Sequence, residues 1–222
     1  MSSSRSAHLL NLQDPLTLLA LTRCRGVSGH SALRLALGHN RHQLVSVGLD
    51  PCLGQALSRR ETQIWSALLE DQTLSQMWMW AQEERSRHQD IGARIIGFFD
   101  HDYPPLLRLI SQPPPVIFTR GDLAPLLSPL TSHRSQNAHT LQLVDAYVAI
   151  VGTRKPSQRG LRRAYDATHT LLQAQSHTRG VSRAVISGLA LGIDGAAHRA
   201  TLELGGYTAA VLGHGLDQYY PK

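Results

Sequence analysis

Cysteine is scarce in this chain of 222 residues: Cys24 and Cys52 are the two, in unrelated contexts and without a CxxC pair. That excludes a disulfide framework and a zinc ribbon. No uncharged apolar run reaches the roughly 18 residues that a membrane-spanning helix needs, and "MSSSRSAHLL" lacks the apolar stretch of a secretory signal. A cytoplasmic protein with no membrane association is the expectation. The pair His39 and His42 has no third ligand nearby in sequence, so it reads as solvated. Neither a metal nor a cofactor is expected. Lysine is nearly missing as well, because twenty of the 22 basic residues are arginine. Net charge is +6 and the pI is near 9.8. The planar donor fork of arginine suits phosphate, so polyanionic partners gain weight.

What is present divides at about residue 90. Before it the periodicity is helical: Leu16, Leu19 and Ala20, then Leu33, Leu35 and Leu37, then Ile64, Trp65 and Leu68, then Leu74, Met77, Trp78 and Ala81. The Met–Trp cluster reads as core. The turn "RCRGVSGH" has two readings. One is a plain helix–helix connection; the other is a phosphate contact made by backbone N–H groups with Arg23 and Arg25. Beyond residue 90, "RIIGFFD" and "PVIFTRG" are strand-like. Residues 128–142 read as a mobile loop within an insertion at about 124–145.

From Ala146 the pattern is α/β. "YVAIV", "RAVIS" and "YTAAVL" are strands, separated by helices over 160–174 and 193–204. Continuous apolar strands that alternate with helices predict a parallel sheet covered on both faces, one βαβαβ half of a Rossmann-like fold. The predicted domains are therefore 1–90, helical, and 91–222, α/β.

In such a fold, ligands bind where loops leave the carboxyl ends of the strands. Those loops here are "GTRKPSQRG", "SGLALGID" and "GHGLDQYYP". Each begins with Gly or Ser-Gly, and two lead into helix N-termini, which favour anions. Residues 154–183 hold seven basic residues and one acid, Asp166. A phosphate-bearing ligand follows. Known nucleotide fingerprints do not fit, since GxGxxG and GxxxxGK[ST] are both missing. A hydrolytic trio of Ser187, Asp194 and His198 fits poorly, because Ser187 lacks the GxSxG context. His198 reads as hydrogen-bonded or phosphate-facing, and Asp194 as a cap for free N–H groups.

The blocks "IIGFFDHDYPPLLRLISQPPPVIFTRG", "VAIVGTRKPSQRG" and "VISGLALGIDGAAHRATLELGGYTAAVLGHGLD" resemble the DNA-processing protein A (DprA/Smf) family over about residues 94–222. The helical N-terminal region resembles the SAM-like domain that precedes the Rossmann-like domain in many members. The resemblance implies a non-enzymatic protein that binds single-stranded DNA, protects it during transformation and assists loading of the RecA recombinase, with homodimerisation possible. It implies phosphate-binding roles for Gly152, Thr153 and Arg154 at the first turn; Lys155 and Arg159 join them as DNA-binding residues on their charge, Arg159 standing where the family often has an aromatic. At the second turn it implies Ser187, Gly188, Leu189, Gly192 and Asp194, followed by His198. At the third it implies Gly213 and Gly215. Tyr219 or Tyr220, at the end of that loop, reads either as a base-stacking residue or as sheet-edge packing. Leu191 stands where the family usually has arginine. The resemblance also implies that the chain stops at Lys222 short of the family's remaining segments, which leaves the Rossmann-like half incomplete. The alternative is a nucleotide phosphoribohydrolase-type enzyme of related fold, whose PGGxGT-type motif is missing here.

Overall fold

A computed structural model describes residues 11–38, 58–70, 73–127, 147–173 and 184–218. The described residues form two compact units, one ending at Asp122 and the other running from Leu123 to Gln218.

The first unit opens with α1 (Pro15–Arg23). The Asp14 carboxylate accepts the Thr17 N–H at 3.0 Å, and Pro15 occupies the first helical turn, where its missing N–H costs nothing. Leu16, Leu18, Leu19, Ala20 and Leu21 are all buried, so α1 is a core helix rather than a one-sided amphipath. Gly26, at φ 84°, turns the chain into α2 (Gly29–Gly38). Ser28 caps α2 by accepting the Ser31 N–H at 3.1 Å. A reciprocal capping box starts α3 (Arg59–Glu70): the Glu61 carboxylate accepts the Ser58 N–H at 2.8 Å, and Ser58 Oγ accepts the Glu61 N–H at 3.2 Å. The long helix α4 (Thr73–Asp90) buries Leu74 and Ala81 against this group, while Met77 and Trp78 are only half-buried.

β1 (Ala93–Gly97) and β2 (Val116–Arg120) pair antiparallel, from Ala93 opposite Arg120 to Gly97 opposite Val116. Between them lies the short α5 (Pro105–Arg108). Buried Tyr103 donates its hydroxyl to the Pro114 carbonyl at 2.8 Å, and Arg108 donates from Nε to the Phe98 carbonyl at 3.0 Å. The prolines of this connection thus frame a packed loop. The sequence sets a boundary near residue 90. In the structure β1 packs on α1 and α4, and the division falls after β2.

The second unit begins with the short α6 (Ala124–Leu127) and continues β3 (Tyr147–Ala149), α7 (Gln158–Gln173), β4 (Ala184–Ser187), α8 (Ile193–Glu203) and β5 (Tyr207–Ala210). The strands are parallel in the order β3-β4-β5, with Val148 beside Val185 and Val185 beside Thr208. This is the expected Rossmann-like α/β arrangement. α8 packs on β4, β5 and α7, and its buried residues include the small side chains of Ala196, Ala197, Ala200 and Thr201. Burial departs from the expectation of cover on both faces. Ala184 and Val185 of the central strand are buried, but Ala149 and Ala210 are exposed, as are Val151 and Val211 just past the strand ends. Residues 128–142, the pair His39 and His42, and Tyr219 and Tyr220 lie outside the described residues.

Candidate nucleic-acid interface

β3 and β4 end in turns that are held together by one carboxylate. Asp194, in the first turn of α8, is buried and accepts the Gly152 N–H at 3.1 Å on Oδ1 and the Gly188 N–H at 3.2 Å on Oδ2. The Ile193 N–H donates to the Thr153 carbonyl at 3.3 Å, which adds a backbone tie between the same loops. Glycine is required where the turns meet. A Cβ on Gly152 would stand 2.7 Å from the Ile193 side chain, and one on Gly188 would stand 2.9 Å from Asp194. Gly192 has φ 91°, and a Cβ there would overlap the Thr153 carbonyl oxygen. The spacing of "SGLALGID" therefore serves loop-to-loop contact.

The braced first turn carries its cations outward. Thr153, Arg154, Lys155 and Arg159 are exposed. Thr153 Oγ1 accepts the Lys155 N–H at 3.1 Å, and Ser157 caps α7 by accepting the Gly160 N–H at 3.1 Å. Leu189, at φ 55°, and Leu191 project from the second turn with relative exposures of 53% and 61%. In the third turn Gly213 and Gly215 are exposed, and His214 Nδ1 lies 2.9 Å from the Gly215 carbonyl.

A family model described as DNA recombination-mediator protein A matches residues 137–222, the segment that contains all three turns. Over that segment the chain matches the DprA/Smf family. Among curated relatives, protein Smf of Synechocystis is 36% identical over 134 residues, covering 60% of this chain and 29% of that protein. Protein Smf of Escherichia coli is 38% identical over 120 residues, 54% of this chain and 26% of that protein. DNA processing protein DprA of Streptococcus pneumoniae is 35% identical over 126 residues, 57% of this chain and 36% of that protein. The chain thus spans roughly a quarter to a third of the length of these relatives. The X-ray structure of the Streptococcus pneumoniae protein matches in fold with a TM-score of 0.58 at 24% identity, over 94% of this chain and 61% of that one.

Against the DprA/Smf pattern, the site residues separate into an outer and an inner set. Thr153, Arg154, Lys155, Arg159 and Leu189 face outward, together with Gly152, Gly213 and Gly215. Ser187, Asp194 and His198 are buried and occupied internally. Ser187 Oγ donates to the Ile150 carbonyl at 2.5 Å. His198 Nδ1 lies 2.7 Å from Thr208 Oγ1, whose own proton goes to the Val185 carbonyl at 2.8 Å. Because a hydroxyl has one proton to give, Nδ1 carries the imidazole hydrogen and Nε2 is left as a buried acceptor without a partner among the described residues. Burial lowers the His198 pKa, against a smaller opposing pull from Asp194. No hydrogen bond joins Ser187, Asp194 and His198, so the imagined hydrolytic trio is not assembled. Asp194 does cap N–H groups, but those of two strand-end turns instead of its own helix. That bridge, reaching 42 positions back to Gly152, has no local sequence signal.

Internal acceptors therefore occupy three N–H groups at the turns and at the start of α7: Gly152 and Gly188 by Asp194, and Gly160 by Ser157. The cations of the first turn, Arg154, Lys155 and Arg159, are left exposed at this edge. In the first unit, by contrast, Arg23 stacks on Trp80 at 4.6 Å, which takes it into a packing role.

Proposed function

We propose that this chain binds single-stranded DNA through the outer face of the first strand-end turn, as part of a DNA-processing role in recombination and transformation. Arg154, Lys155 and Arg159 neutralise successive backbone phosphates, while Asp194 and the glycines hold the loop in the shape that presents them. The observation that carries this reading is a rigidly tied loop with three exposed cations, in a chain whose relatives are named DNA processing proteins. A short flexible strand can follow such an edge, and no helix of the described unit is presented as a major-groove reader. Assistance to the RecA recombinase belongs to the same reading, and is scored by recombinase filament growth on strands precoated with a single-strand-binding protein.

The test is a fluorescence titration of labelled single-stranded and duplex oligonucleotides at two salt concentrations. Preference for the single strand, with affinity falling as salt rises, is the expected result. Affinity indifferent to salt, or equal for the two forms, refutes the reading.

A further inference from the structure

The basic surface does not end at the loop. Where α7 packs on α8, the two helices leave an open groove of about 670 Å³. Arg159 and Arg162 line it from α7, one turn apart, with Tyr165 a further turn along the same helix, and Arg199 lines it from α8. All three arginines are exposed, and none forms an ion pair with a described residue. The single acid in the lining, Glu203, already accepts a hydrogen bond from the Tyr165 hydroxyl. The groove thus carries a net charge of +2 from these four ionised groups, and the small side chain of Ala196 is part of its lining. Arg159 belongs to both places: it closes the "GTRKPSQR" loop and opens the groove.

We propose that the α7–α8 groove is a second stretch of the single-stranded nucleic-acid path, in which Arg162 and Arg199 hold backbone phosphates beyond those at the loop and Tyr165 offers its ring to a base. The inference rests on the single-strand reading of the loop and adds a direction to it: the strand runs from Arg154 through Arg159 onto the helices. Arginine suits this task because its fork grips two phosphate oxygens at once. An aromatic ring beside cations is also a combination by which single-strand binders gain affinity without reading sequence. Charge complementarity alone would also admit an acidic peptide. Continuity with the loop through Arg159, and an aromatic in the same lining as the cations, favour the nucleic acid.

The experiment uses the 222-residue chain with labelled oligodeoxynucleotides of about 4 and about 16 nucleotides, lengths that bracket common single-strand site sizes. Two double variants are compared, Arg162→Ala with Arg199→Ala for the groove, and Arg154→Ala with Lys155→Ala for the loop. The loop variant should weaken both oligonucleotides. The groove variant should weaken the 16-mer about tenfold and the 4-mer less than twofold. It should also lower the 16-mer salt slope by about 1.4, at roughly 0.7 per lost phosphate contact on a single strand. Thermal melting checks folding, and Arg162→Lys with Arg199→Lys should restore the slope if charge at these positions is what acts. A 16-mer whose affinity and slope are unchanged in the groove variant overturns the groove while leaving the loop reading intact. So does equal weakening of both lengths. Groove-dependent binding of polyglutamate with unaltered DNA binding overturns it in favour of an acidic protein partner. Wild-type protein that binds neither oligonucleotide removes the loop reading and the groove with it.

Discussion

His198 shows how one side chain links packing to pH. Its imidazole is buried, gives its Nδ1 proton to Thr208, and leaves Nε2 facing no donor among the described residues. Protonation would place a charge in that enclosure, so burial holds the folded pKa below the usual value. The unfolded chain binds the proton near pH 6.5, before the folded one does. Stability from this residue is therefore complete above about pH 6.5 and declines as pH falls from there towards the depressed folded value. The chain has 12 histidines, so the contribution must be isolated by difference. Melting temperature measured between about pH 5 and pH 7 should fall with acid less steeply in His198→Gln than in the wild type. Identical slopes would show that the imidazole stays solvated.

At the scale of elements, the turns after β3 and β4 are one structure because Asp194 spans them. A carboxylate that accepts two N–H groups at the start of a helix is also well placed against the helix dipole. Removing it leaves the Gly152 and Gly188 N–H groups without their acceptor, a loss of roughly 1–3 kcal/mol for each group that stays shielded from water. Asp194→Ala is expected to destabilise the second unit by about 2 kcal/mol and to loosen the loop that presents Arg154 and Lys155. Denaturant unfolding measures the first effect, and amide exchange at Gly152 and Gly188 measures the second. If exchange at those two amides is unchanged, Asp194 is not the brace. Asp194→Asn, which keeps one acceptor oxygen, should fall between the two.

Over the whole molecule, charge is disposed unevenly. The first unit holds ion pairs between described residues: Arg34 with Glu61 at 3.3 Å, Arg87 with Glu84 at 2.8 Å, and Arg94 with Asp102 at 3.3 Å. In the second unit Lys155 and Arg159 have no carboxylate partner among the described residues, so part of the +6 net charge is concentrated at the loop edge. Local field, more than net charge, decides where a polyanion settles. Lys155→Ala should therefore weaken single-stranded DNA binding and reduce its salt slope by about 0.7, whereas Arg87→Ala, removing an equal charge, should change neither. Comparable losses in both variants would mean that binding follows total charge and not this edge.

The alternation of apolar strands with helices after Ala146 was enough to specify a parallel Rossmann-like sheet, because burial and backbone period are local properties of sequence. The glycine spacing likewise marked where loops come close, and the exposed cations at 154, 155 and 159 were legible as such. The assignment of inner and outer residues was not. Ser187, Asp194 and His198 share a motif with Leu189 and Gly192, yet their partners Ile150, Gly152 and Thr208 come from other strands and turns. A side chain's choice between solvent and an internal acceptor depends on what the fold brings within about 3 Å, which no window along the chain contains. The groove arose the same way. Arg162 and Arg199 are 37 positions apart in sequence and line one cavity because α7 and α8 pack side by side. Sequence therefore determined the elements and their charges, and tertiary packing decided which polar groups are turned inward and which charges stay exposed.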